Sequence, residues 1–136
     1  MQDVTPQDAM VYLMVVMSAV DSSMSDKELR KIGTLVQTLP VFEKYDEERL
    51  IECSRQCQKI LAGDDGLYKI IDLAEAIIPR RLHDTAYACA VEIAAVDLHV
   101  EQEELRLLQI LRQRLSIDRL AAAAIERGAQ ARYRTA

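Results

Sequence analysis

The sequence predicts an all-α fold: a single-domain bundle of about seven helices over residues 1–136, with two related helix-turn-helix corners. Three observations predict it. Gly and Pro are scarce, at four and three residues, while the strong helix formers Ala, Leu, Glu and Arg abound. Helix start and stop signals recur at short intervals along the chain. No stretch alternates apolar and polar residues as a half-buried strand would. Half of the residues are hydrophobic, with no Trp and one Phe. The core must therefore be aliphatic, and 136 residues can bury one without disulfide staples.

The elements follow in order. "TPQD" places Thr5 at an N-cap and Pro6 at the first helical position. The helix it opens is apolar on nearly every side from Met10 to Val20, so it should lie at the centre. "SDKE" is a capping box with Ser25 as cap and Glu28 reaching back. The second helix then runs from about Asp26 to Gln37 and stops before Pro40, which disfavours helical backbone at Leu39. Asp46 caps a third helix that ends at Gly63, read as its C′ residue. Asp64 or Asp65 caps a fourth, closed by "IPRR". A fifth runs from about Leu82 to Val96 and is rich in small residues, which suits a second central helix. A sixth spans about Gln102 to Leu115. Ser116 or Asp118 caps a seventh, expected to fray after Gly128.

The chain writes one acidic corner twice. "SAVDSSMSDKELRK" and "AAVDLHVEQEELRL" align without a gap, pairing Asp21 with Asp97, Glu28 with Glu104 and Leu29 with Leu105. In each, an apolar helix ends at an Asp. An apolar residue, Met24 or Val100, follows three positions later, and a Glu stands seven residues after the Asp. An Asp at a helix C-terminus meets the negative end of the dipole, which costs roughly 0.3–1 kcal/mol. Two partners can offset this: the free N–H groups that open the next helix, or a divalent cation held between Asp and Glu. On the first reading Met24 or Val100 anchors the corner in the core. On the second, Asp21, Glu28, Asp97 and Glu104 are the candidate metal ligands for a calcium- or magnesium-like ion. Neither acidic loop is an EF-hand. Counting from Asp21, Asp26 stands where Gly is required and Ile32 where Glu is required. Counting from Asp64, Glu75 fits the twelfth position, but Gly66 and Tyr68 occupy the third and fifth.

An apolar helix ending "A-x-D", a short turn and then "S-x-x-E-L" resembles the corner of the tellurite-resistance TerB-like family. That resemblance implies an all-helical fold and acidic residues that bind a divalent cation, here Asp21, Glu28, Asp97 and Glu104. It also implies a stress-response role in protein or membrane-associated assemblies. The family commonly places Gly after the Asp; Ser22 and Leu98 stand there in this chain.

Other residues point less far. His99, between Asp97 and Glu101, reads as a loop histidine rather than a zinc ligand, and His83 has no partner visible in the sequence. Cys53, Cys57 and Cys89 form no CxxC pair and read as small buried apolar residues. "AGDDGL" lacks the Lys-Ser/Thr ending of a phosphate loop.

Net charge is −5, which argues against nucleic acid as a partner. The charge is uneven: residues 105–136 carry seven Arg and two acidic residues. This basic end could dock on an acidic protein or sit peripherally on a membrane, or it is simply a solvated helix face. No signal peptide is visible, and the odd cysteine count suits a reducing cytoplasm. With no nucleophile–base pair and no cofactor motif, the expected function is a non-enzymatic interaction module with an acidic, cation-binding face. The alternative is a metal-dependent enzyme that uses the carboxylates of the two corners.

Overall fold

The computed structural model describes residues 3–20, 26–96 and 100–136. Among these, seven helices and no strands are found: α1 (Pro6–Ala19), α2 (Asp26–Thr38), α3 (Glu47–Ala62), α4 (Gly66–Ile77), α5 (His83–Ala95), α6 (Gln102–Arg114) and α7 (Arg119–Arg132). Short 3-10 turns at Pro40–Phe42 and Arg80–Leu82 follow α2 and α4. Both contain or follow a proline, which cannot continue a helix.

α1 and α5 form the centre. Every residue of α1 from Asp8 to Ser18 is buried, and so is most of α5 from Ala86 to Ala94. The two helices pack on each other; α3 and α4 cover α1, while α2, α6 and α7 cover α5. The outer helices are amphipathic and turn inward Ile32, Leu35 and Val36 from α2, Ile70 and Ile71 from α4, and Leu107, Leu108 and Leu111 from α6. The small residues Ala86, Ala90 and Ala94 let neighbouring helices approach α5 closely.

The caps explain the helix boundaries. The Thr5 hydroxyl accepts from the Asp8 N–H at 3.1 Å, and Asp8 accepts from the Thr5 N–H at 3.0 Å. Asp46 caps α3 through the Glu48 N–H, and Asp118 caps α7 through the N–H groups of Leu120 and Ala121. The expected Ser25 cap lies outside the described residues. Two expectations are corrected. Gly63 does not take the left-handed C′ conformation, having φ −85°; Asp65 takes it instead, at φ 53°, and heads α4 without a side-chain cap. α7 does not fray at Gly128 but continues to Arg132, because its end is tied to α5.

The α3–α4 junction depends on Gly66. A Cβ there would lie 2.1 Å from the Ile60 carbonyl oxygen and 2.7 Å from the Leu61 Cα, both backbone atoms that cannot move aside. Gly33, in the middle of α2, has open space around it. Gly66→Ala should therefore destabilise by about 3 kcal/mol, whereas Gly33→Ala should stabilise by up to about 1 kcal/mol. Urea melts of both variants check this; equal midpoints would refute the close-approach argument.

Asp8 pins α1 to α3. Arg49 donates to both carboxylate oxygens, Nε at 2.9 Å and Nη2 at 2.6 Å, and the Tyr45 hydroxyl donates at 2.8 Å. Burial would raise the Asp8 pKa, but the Arg49 pair and the hydrogen bonds from Thr5 and Tyr45 outweigh it and hold it at about 2, against 3.8 unperturbed. The folded state thus keeps this carboxylate ionised where the unfolded chain protonates it. The resulting stabilisation, roughly 2 kcal/mol, is complete above pH 3.8 and lost as pH falls through about 2. Acid titration of stability should show this loss between those values, and Asp8→Asn should abolish that part of the pH dependence.

Candidate functional site

The two corners join α1 to α2 and α5 to α6. Their aspartates, Asp21 and Asp97, lie outside the described residues, as do Met24 and His99. Their glutamates are described, and the two occupy equivalent places. Glu28 and Glu104 both sit in the first turn of the second helix, and both are only 4% exposed. Acidic residues in a first turn favour the helix dipole. Glu104 also accepts from the Glu101 N–H at 3.1 Å, so it satisfies one of the free donors of α6. Val100 packs against the core, as an anchor of the second corner should. Among the described residues, no three His, Cys, Asp or Glu side chains converge as a metal site would require.

Next to each buried glutamate stands an exposed leucine. Leu29 is 48% exposed and Leu105 53%. The repeat thus duplicates a surface feature as well as a buried one: each corner turns a carboxylate inward and an apolar side chain to solvent.

The thiols are built into the interior. Cys53 and Cys57 lie one turn apart on the face of α3 that meets α1, with Sγ atoms 3.5 Å from the Asp8 carbonyl and 3.6 Å from the Tyr12 carbonyl. Burial pushes Cys53, Cys57 and Cys89 up to about 12, so each stays a protonated thiol at neutral pH. His83, which lacked a partner in the sequence, has two. Its ring nitrogens lie 3.1 Å from the Leu115 carbonyl and 2.9 Å from the Ile78 carbonyl, joining the end of α6 to the α4–α5 connection.

Sequence reasoning missed Glu92. It is the only charge in the apolar run "TAYACAVEIAAV" and is nearly buried on α5. Such a charge demands partners, and the partners come from distant helices. Arg132 forms an ion pair with it. The Tyr133 hydroxyl donates to it at 2.6 Å. Lys31 of α2 lies 3.8 Å away and 5.1 Å from the Tyr133 ring centre. Lys31, Glu92 and Arg132 line one end of an open groove of about 690 Å³ between α2, α5 and α7, whose walls include Leu35, Leu39, Ala88 and Ile125. A second triad, Tyr87, Glu126 and Arg112, fixes α7 to α5 and α6; Arg112 meets Glu126 at 2.8 Å. A lone Glu within the apolar run 85–96 was the available signal for the first cluster.

These contacts explain why α7 holds to its last turn. Tyr133→Phe should lower stability by about 1 kcal/mol and speed amide exchange most across residues 129–133. Hydrogen exchange measures both effects, and unchanged protection there would show that Glu92 does not hold the helix end. Compared with protein-family models, with curated proteins and with solved structures, the chain finds no match in any of the three.

Proposed function

We propose that this protein is a non-enzymatic interaction module of the kind its resemblance to TerB-like corners implies, working through the surface of its two corners. The observation that carries this reading is the pair of equivalent, half-exposed leucines, Leu29 and Leu105, each beside a buried glutamate. Exposed apolar side chains repeated at equivalent positions offer two similar docking points to a protein partner. The remaining chemistry supports a structural use. Asp8 and Glu92 are committed to ion pairs within the fold, and the thiols are protonated. The net charge of −5 favours a protein over nucleic acid.

A second reading, uptake of a divalent cation at the corners, is favoured by one observation: Glu28 and Glu104 are buried at matching positions, each seven residues along the sequence from an Asp of the repeat, Asp21 or Asp97. The protein works in the cytoplasm on this proposal, in keeping with three free thiols. No described helix is long and apolar enough to cross a membrane.

Two measurements test these readings. Leu29→Arg combined with Leu105→Arg should abolish partner cross-linking in cells while leaving stability within about 0.5 kcal/mol; undiminished cross-linking would reject the corner surface. Calorimetric titration with calcium, magnesium, manganese and zinc should give heat that is lost in Glu28→Gln and Glu104→Gln. Absence of heat with every ion removes the cation reading and leaves the interaction module standing.

A further inference from the structure

The described surface carries two helix faces of opposite charge, each centred on a large apolar side chain. On α7, Leu120 is 79% exposed. Ala123, Ala124 and Arg127 continue its face at helical spacing and, with it, line a shallow groove of about 500 Å³. Arg119 and Arg127 are exposed on this helix, and Arg134 is exposed just after its end. Its one carboxylate, Glu126, also borders the groove but is paired with Arg112. On α3, Ile51 is 59% exposed. Glu47 and Glu48 stand one turn before it and Glu52 beside it, all exposed; Arg55 one turn after and Lys59 two turns after are the basic residues toward the far end of that face.

We infer that these two faces dock on each other between copies of this chain. Ile51 of one copy enters the α7 groove of the next, and Glu47, Glu48 and Glu52 meet Arg119 and Arg127. Each face has the anatomy of a small interface, an apolar centre within a charged rim. Charge selects the pairing: two α7 faces would oppose arginines and two α3 faces would oppose carboxylates, so only the unlike pair is attractive. α3 covers α1 and α7 covers α5, so the two faces belong to different flanks of the bundle and leave each copy with one of each to offer. Such a contact is head to tail, and it builds a ring or an open chain according to whether the rotation closes. Because the charges are exposed, salt weakens it. This surface is separate from Leu29 and Leu105, so the inference stands apart from the corner reading.

Sedimentation velocity tests it. The wild-type chain should associate with rising concentration at low salt and revert to monomer at high salt. Leu120→Glu and Ile51→Lys should each be monomeric alone, with unchanged thermal melts, since both positions are exposed. Mixed, they should form a heterodimer, because Leu120→Glu retains an intact α3 face and Ile51→Lys an intact α7 face. A wild-type chain that is monomeric at every concentration and low salt overturns the inference. So does self-association that survives both substitutions, or failure of the mixed variants to pair.

Discussion

The fold depends on burying two nearly uncharged helices against each other. Once α1 and α5 lie at the centre, any charge on them must be answered from elsewhere, since an unpaired buried carboxylate costs more than the small net stability of a domain this size can bear. Each central helix carries one such carboxylate, and both are answered the same way. Asp8 of α1 receives a guanidinium and a phenol, from Arg49 and Tyr45. Glu92 of α5 receives a guanidinium and a phenol, from Arg132 and Tyr133, with Lys31 beside them. In each case the partners belong to the outer layer. The ion pair thereby fixes which outer helix lies where, α3 on α1 and α7 on α5.

This arrangement explains why α7 is ordered to Arg132 although its sequence weakens at Gly128. Helix propensity alone would release the last turn, and a glycine there costs up to about 1 kcal/mol relative to alanine. The ion pair and hydrogen bonds to Glu92 act at the far end of the helix, where fraying begins, so they stabilise the turn that propensity would give up. Tertiary contact overrides local preference, and it does so at the place where the groove between α2, α5 and α7 is bounded.

What was legible in the sequence was local. The Thr5 and Asp118 caps, the proline after α2 and the apolar wrap of α1 and α5 are signals within a few residues of the feature they specify, and the helices begin and end close to where those signals stand. Partners across the fold were not legible. Nothing near residue 83 announces the carbonyls of Ile78 and Leu115 around the His83 ring, and nothing near residue 92 announces Arg132. The left-handed residue after α3 was also misplaced, because Gly63 satisfies composition rules for that turn while the close approach at Gly66 decides its geometry. The candidate site was legible in part. The repeat located Glu28 and Glu104 in equivalent first turns, while Asp21 and Asp97 lie outside the described residues.

The duplicated corner acquires its meaning from this division between centre and surface. Buried charges elsewhere in the fold serve contacts that are not duplicated: Asp8 aligns with Asp84, which is exposed, and Glu92 aligns with Val16. Leu29 and Leu105 do correspond, and they face solvent. A feature kept only for packing would be expected on the buried side of both helices, where substitution is costly. An apolar residue kept twice on the exposed side gains little from burial within the chain itself. Its favourable free energy is realised when another surface covers it. Each corner thus turns two adjacent residues opposite ways. Glu104 secures the start of α6 from inside through the Glu101 N–H, Glu28 is buried at the matching place in α2, and the leucine beside each faces solvent.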